Sequence, residues 1–314
     1  MKPICIIFLS CLTLVSAYGQ PEITQSDSVT VTTDTLPPRS AIRKGRLATV
    51  IATESALYLG SMAYLQFVWY NGDKRVPFEF YNDTGGYLQV DKFGHAYGAY
   101  LESYLGYHAL RWAGVSKGKA LLYGATLGFV LQAPIEIWDG LYEGWGFSWG
   151  DIGANAFGTS LFLVQEHLFD EQRIKYKFSF AASPYARQAN GYLGTTSLGQ
   201  VFNDYNGHTY WLSMSLNRII QSPKIPAWLC VSVGYSANGM FGEFKNLSYY
   251  AGASIPETQR YRQFLLSLDV DWTKIKTRSR FLNRLFKSMF MLKLPFPAIE
   301  LNSKGQFRTY GLYY

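Results

Sequence analysis

Charged residues are scarce in this chain, and cysteine and histidine are scarcer still. Only 16% of the 314 residues are charged, and there are four histidines and three cysteines. The P-loop and the Gly-x-Gly-x-x-Gly fingerprint are both missing, so no motif supports nucleotide or dinucleotide chemistry. So few charges are atypical of an ordinary soluble enzyme.

Aromatic residues are abundant instead. They make up 17% of the sequence, and the 24 tyrosines outnumber the 22 acidic residues. Amphipathic rings of this kind suit a membrane interface. The net charge is +7, but the basic residues are spread out apart from a cluster at 274–287. We therefore predict membrane lipid as a partner, with anionic lipid or solvation accounting for the charge, and no nucleic acid.

The first 19 residues have the pattern of a secretory signal peptide. Lys2 precedes an apolar stretch over 4–15, and Ala17-Tyr18-Gly19 forms a small-x-small cleavage site. An uncleaved anchor and a lipoprotein attached at Cys11 are the alternatives. Residues 20–42, rich in Ser, Thr, Asp and Pro, predict a disordered tether. Removal of the signal leaves Cys230 alone, which excludes an internal disulfide.

Residues 43–169 predict a helical bundle with a polar site. The apolar run 48–69 is long enough to cross a bilayer. Further helices are expected over 91–113, from 116 onward with a kink at Pro134, and from the capping box at 148–151 to 169. Small residues recur at helical spacing, which favours close helix packing. We expect four helices, embedded in or lying against a membrane, and a soluble bundle with an apolar surface is the alternative.

The fold class predicted for the whole chain is α+β, because residues 174–314 change to alternating apolar and polar residues. The alternation is clear at 175–180, 211–216, 230–235, 264–272 and 307–314, with weaker strands at 248–253 and 298–301. This pattern predicts an antiparallel β domain, either a small barrel or a curved sheet. Residues 278–290 predict a basic amphipathic helix.

Polar side chains interrupt the apolar helices at three places. Because isolated polar groups are costly in apolar surroundings, we expect them to converge. Acid–base chemistry would use His95, oriented by Asp91 or Glu136. A divalent cation is the other possibility, although none is required by the sequence. A hard ion is favoured over zinc because only one histidine lies on this helical face. Helix capping and dipole effects also explain acids near helix starts. The candidate catalytic residues are His95, Asp91 and Glu136, and the candidate binding residues are Gln132, Asp139, Asp151, Asn155 and Glu102.

The order of these motifs carries a family resemblance. Asp91-Lys92-x-x-His95, then Gln132-x-x-x-Glu136, then Asp151-x-x-x-Asn155-x-x-Gly158 resembles the YfiM-like family of predicted bacterial envelope lipoproteins, and more distantly the VanZ-like membrane proteins. The resemblance covers at most residues 50–168 and implies a helical envelope protein with no established reaction. The chain departs from the family in lacking a clear lipobox and in its β-rich second half.

Two functional hypotheses follow. In the first, a membrane-associated bacterial envelope protein uses the polar site to bind an ion or a polar head group, or to act on a lipid-linked substrate. In the second, the protein is a non-enzymatic structural or assembly component of the outer membrane, and the polar residues only fix helix register. The loop 140–150 carries Glu143 and no Lys or Arg, which favours the outer membrane or a periplasm-facing membrane, with the inner membrane as the alternative.

Overall fold

The computed structural model describes residues 42–314. The predicted signal peptide, the tether up to residue 41, and Cys5 and Cys11 lie outside these residues. The described chain combines helices with an antiparallel sheet, as the alternating pattern predicted. The helices are α1 (Lys44–Tyr64), α2 (Val90–Trp112), α3 (Lys117–Ala120), α4 (Leu127–Asp139), α5 (Trp149–Phe169), α6 (Ser197–Asn203), α7 (Leu216–Ile220) and α8 (Arg280–Ser288).

Helix α2 lies at the centre of the helical half. It packs along α5 and α4, and sixteen of its 23 residues are buried. In α1, by contrast, only Val50 and Ser61 are buried. A regular four-helix bundle is therefore not confirmed, because α1 contributes too little buried surface to be an equal member. The core that forms around α2 is what holds the polar residues in place.

Two local predictions about the helices have different outcomes. Ser148 caps α5 as predicted, with its Oγ accepting from the Asp151 amide at 3.1 Å. Pro134, however, lies inside an unbroken α4, and the irregular turn falls earlier, at Leu121–Ala125. The kink predicted at Pro134 stays a prediction, because a helix can bend at an internal proline without ending there. The wider π-turn precedes α4, where Gly124 packs against the backbone of Gly106.

Glycines set the distance between α2 and its neighbours. A Cβ on Gly158 of α5 would lie 1.9 Å from the Ala96 carbonyl oxygen, and one on Gly128 of α4 would lie 2.0 Å from that of Ala99. Only glycine permits contacts this close between helix backbones. Because Ala96 and Ala99 flank one turn of α2, these two contacts bring α4 and α5 against the segment that carries His95.

The second half of the chain forms a six-stranded antiparallel sheet with the order β1-β2-β3-β6-β7-β8. In the described part of the chain β1 and β8 are not paired, so the sheet does not form a closed barrel. A separate two-stranded hairpin joins β4 and β5. The strands are β1 (Ile174–Phe180), β2 (His208–Ser215), β3 (Leu229–Asn238), β4 (Tyr249–Tyr250), β5 (Ala253–Ser254), β6 (Tyr261–Val270), β7 (Phe296–Asn302) and β8 (Phe307–Tyr313).

The polarity of this sheet is inverted relative to an ordinary soluble sheet. One face buries a polar network, in which Lys177 Nζ donates to Asp269 Oδ2 at 2.7 Å and Ser213 Oγ donates to the same oxygen at 2.6 Å. The opposite face is apolar. It packs against α2 at β1 to β3, where Phe93 and Tyr235 stack at 4.4 Å, and it is exposed on β6 and β7. The exposed side chains are Phe264, Leu266, Leu268, Ile299 and Leu301.

One stretch of the described chain, Lys117–Asp139, is long and apolar enough to cross a membrane by length and composition. In the fold, 44% of its most apolar window is buried. A core helix would meet the same criteria, so the membrane-embedded bundle remains a prediction.

Candidate functional site

The polar residues meet around the ammonium group of Lys92, in the first turn of α2. Lys92 Nζ lies 2.7 Å from Asp151 Oδ1, 2.8 Å from Asp83 Oδ2 and 3.0 Å from Asp91 Oδ2. The three carboxylates are almost fully buried, whereas 12% of the Lys92 side chain is exposed. One cation therefore faces three acids, and the side chain that carries it is the part of the cluster that reaches solvent.

His95 lies one turn deeper and is 1% exposed. Its Nδ1 is 3.3 Å from Asn155 Oδ1 on α5. Its Nε2 is 3.5 Å from Asp151 Oδ1 and 3.8 Å from Glu136 Oε1, and within the described residues it has no hydrogen-bond partner. The imidazole thus contacts Asn155 of α5 through Nδ1. Its Nε2 lies between the carboxylates of Asp151 on α5 and Glu136 on α4.

The loop before α5 contacts two acids of the cluster, Glu136 beside His95 and Asp83 beside Lys92. The Ser148 amide donates to Glu136 Oε2 at 3.3 Å, and the Ser148 hydroxyl donates to Asp83. Gly146 to Gly150 also have the Gly-x-Ser-x-Gly spacing of a nucleophile elbow. The contacts of Ser148 are those of a helix cap bonded to an acid, and no contact joins it to His95 among the described residues. The geometry therefore favours capping over nucleophilic catalysis.

The chain enters α2 through three consecutive residues in the left-handed region. Tyr87, Leu88 and Gln89 have φ values of 46°, 50° and 68°. Left-handed backbone costs about 1–2 kcal/mol for each residue with a side chain. Such strain persists where the surroundings enforce it and is concentrated at functional sites. Here it sets the direction from which Asp91 and Lys92 enter the cluster.

Side chains from the β half hold this entry turn. The Tyr235 hydroxyl donates to the Leu88 carbonyl, and Arg262 Nη2 donates to Gln89 Oε1 at 2.8 Å. Tyr205, just before β2, donates to Asp91 Oδ1 at 3.1 Å. The sheet therefore positions the polar site as well as covering α2.

The strain can be tested at Gln89, whose φ is 68°. Gln89→Gly and Gln89→Ala both remove the side chain, but only glycine relaxes the left-handed backbone. We expect the glycine variant to be the more stable by about 1 kcal/mol in urea unfolding. The controls are Ser160→Gly and Ser160→Ala, at an exposed position within a regular helix. There the alanine variant should be the more stable, because glycine disfavours a regular helix by about 1 kcal/mol. The same order at both positions would contradict the strained turn.

The remaining candidates lie outside the contacts of His95. Glu102 is 4% exposed, and neither of its carboxylate oxygens has a hydrogen bond of normal geometry to a described residue. Burial raises its pKa well above the ordinary value, and nearby Gln132 only partly opposes this by hydrogen bonding. Asp139 accepts a hydrogen bond from Tyr70. Burial therefore shifts the pKa of Glu102 in the direction that favours the neutral acid, which disfavours cation binding there.

Sequence reasoning brought forward Asp91, His95, Glu136, Asp151 and Asn155, and the fold places these five near one another. It missed Asp83, Ser148 and Tyr205, which share no helical face with the others. The position of Ser148 near Asp151 could have been predicted from the capping pattern, because a capping residue lies beside the first turn of its helix.

The cluster has the composition of a metal site. Asp91, His95 and Asp151 are all buried, and each offers a ligand atom within 4.8 Å of the others. Glu136 Oε1, near His95 Nε2, adds a third oxygen and so a fourth donor atom. One imidazole with several carboxylates from facing helices is a common way to build an ion site in a helical core.

Comparison with known proteins matches part of the chain to a protein family. Residues 79–166 match the model of a family described as predicted periplasmic lipoprotein (DUF2279). No curated protein and no solved structure matches the chain. The matched segment contains Asp83, Lys92, His95, Glu136 and Asp151, whereas the sheet lies outside it. The narrower YfiM-like and VanZ-like resemblances stay predictions. Through the segment that carries the polar site, the chain is thus similar to predicted periplasmic lipoproteins of unknown function, which is consistent with a cell-envelope protein of unestablished activity.

Proposed function

We propose that this envelope protein binds a divalent metal ion between His95, Asp151 and Glu136, with Asp91 at the edge of the site. The observation that carries the proposal is the buried His95 Nε2, which has no hydrogen-bond partner in the described chain and faces two carboxylates. A cation between these groups would pair with the imidazole nitrogen and with both carboxylates at once.

The contact with Asn155 supports this assignment. If His95 Nδ1 donates its hydrogen to Asn155 Oδ1, 3.3 Å away, then Nε2 carries a lone pair. A lone pair directed at two carboxylates is repulsive unless a cation lies between them. Metal-binding histidines commonly donate their second nitrogen to an oxygen in this way. Asn155 would then orient the ligand without touching the ion.

The distances also fit. The separations of 3.5 and 3.8 Å from His95 Nε2 are outside good hydrogen-bond geometry. Two ligands of one ion, each bonded at about 2.1–2.3 Å, lie about 3.0–3.8 Å apart in octahedral or tetrahedral arrangements. The donor atoms are therefore spaced as ligands of a shared ion.

The donor set favours manganese. Carboxylates suit Mg²⁺, Ca²⁺ and Mn²⁺, whereas imidazole suits the transition metals. Mn²⁺ accepts both donor types, and three oxygens with one nitrogen leave room for water. Mg²⁺ binds nitrogen less readily and should bind more weakly.

The experiment is a titration of the chelator-treated protein with Mn²⁺, followed by the electron paramagnetic resonance signal of the free ion. We expect one site, and we expect His95→Gln to weaken binding at least about 100-fold, because a direct ligand should matter more than an outer-shell partner. The matched control is His167→Gln, since His167 is exposed at the end of α5. Glu136→Gln is compared with Glu143→Gln, which changes an exposed loop acid.

The outcomes separate the ion site from a purely structural role. If the wild-type protein binds neither Mn²⁺ nor Zn²⁺, or if His95→Gln binds Mn²⁺ like the control, the ion proposal fails. If no ion binds and His95→Gln also unfolds the protein, the network serves helix register, as the structural or assembly hypothesis requires.

A further inference from the structure

One end of the sheet carries an isolated block of positive charge. Residues 272–299 contain seven lysines and arginines and no acidic residue. Six of the seven are exposed, and only Lys293 is buried. The exposed members are Lys274, Lys276, Arg278, Arg280, Arg284 and Lys287. We call this surface, together with α7 and the loop that follows α7, the basic end.

Helix α8 is amphipathic, and its apolar side is largely uncovered. At 100° per residue, Arg280, Arg284 and Lys287 fall on one face of the helix. Phe281, Leu282 and Leu285 fall on the other and are 73%, 38% and 42% exposed. Phe286 alone packs inward, at 5.4 Å from the ring of Trp272. A short helix of this kind, basic on one side and open and apolar on the other, is typical of helices that lie in a membrane interface.

Helix α7 extends the same surface. Arg218 of α7 and Lys274, which precedes α8, both pair with Glu171, so the two segments are neighbours. Ile219 and Ile220 of α7 are at least half exposed. Trp228 is 40% exposed, and its carbonyl accepts from the Asp271 amide at 2.8 Å. The basic end thus presents isoleucine, tryptophan, phenylalanine and leucine among its cations.

We propose that the basic end docks on an anionic phospholipid bilayer. Both components of the surface are needed for this assignment. The cations match phosphate head groups, and the exposed apolar side chains match the acyl boundary beneath them. A nucleic acid would use the charge but leave Phe281 and Leu285 in water. Strand β6 ends at Val270, two residues before the Trp272 that packs on Phe286 of α8, and it also exposes Leu266 and Leu268. This proposal does not depend on the ion site.

The test is flotation of the purified full chain with vesicles of phosphatidylcholine alone and of an equimolar mixture with phosphatidylglycerol. The charge variant combines Arg280→Gln, Arg284→Gln and Lys287→Gln, and the apolar variant is Phe281→Ser. The matched control combines Lys119→Gln, Arg187→Gln and Lys245→Gln, which removes three exposed cations elsewhere. All seven positions are exposed, so the variants should fold like the wild-type protein.

We expect binding that depends on phosphatidylglycerol. The charge variant should partition about 100-fold more weakly, since each basic residue near an anionic surface contributes about fivefold. Phe281→Ser should lose about tenfold, and the control should bind like the wild-type chain. Equal binding to both vesicle types, or equal losses in the charge variant and its control, would overturn the proposal. Charge dependence without any effect of Phe281→Ser would indicate adsorption by charge alone, without burial of the apolar side chains, and would also overturn the proposal.

Discussion

Lys92→Met is expected to destabilise the folded protein by about 3–5 kcal/mol, the usual cost of removing one member of a buried ion pair. The substitution keeps the length of the side chain and removes its charge. Asp83, Asp91 and Asp151 would then face one another without the ammonium group that now lies within 3.0 Å of each. Like charges at such distances in a buried site repel strongly.

The measurement is urea unfolding followed by circular dichroism. Lys119→Met is the matched control, because Lys119 is an exposed lysine with no carboxylate in contact in the described structure, and it should change stability by less than about 0.5 kcal/mol. Millimolar Mn²⁺ should restore part of the stability of Lys92→Met, since three free carboxylates attract a divalent cation. A Lys92→Met protein as stable as its control would show that the ammonium does not hold this cluster together.

Gly158→Ala is expected to destabilise the protein by about 3 kcal/mol. Its new methyl group would lie 1.9 Å from the Ala96 carbonyl oxygen and 2.8 Å from the Ala96 carbonyl carbon. Both atoms belong to the backbone of α2, so neither can rotate away, and overpacking of this kind costs about 1–3 kcal/mol or more. Moving α5 outward would also withdraw Asn155 from His95.

Gly153→Ala is the control for this effect. Gly153 lies in the same helix, and a Cβ there meets nothing within 4 Å. Alanine should therefore stabilise α5 by up to about 1 kcal/mol through helix propensity. Thermal unfolding of the two variants should move in opposite directions. If both raise the melting temperature, the backbones of α2 and α5 do not approach as closely as described.

Helical spacing was enough to predict which part of the chain would carry the polar residues. Asp91 and His95 are four residues apart on α2, and Asp151 and Asn155 repeat that spacing on α5. Since an apolar helix tolerates such residues only where they meet partners, their convergence followed from the cost of burial. The main strands of the sheet were predictable for a similar reason, because alternation has a period of two.

The central position of Lys92 was not predictable in this way. Its partner Asp83 lies in an irregular segment, and Tyr205 contacts Asp91 from 114 residues away, so neither has a periodic relation to α2. The left-handed residues Tyr87 to Gln89 are not glycines, so their identity does not predict this backbone conformation. The burial of the polar face of the sheet was not predictable either, because alternation defines two faces but does not say which of them is buried.

The central claim is that His95, Asp151 and Glu136 share one divalent ion, and anomalous X-ray scattering from crystals soaked in MnCl₂ tests it most directly. We predict a manganese peak within about 2.4 Å of His95 Nε2 and of carboxylate oxygens from α4 and α5. The peak should be absent from His95→Gln crystals and present in His167→Gln crystals. A wild-type map with no manganese at this position, and His95 Nε2 hydrogen-bonded to Asp151 instead, would contradict the claim.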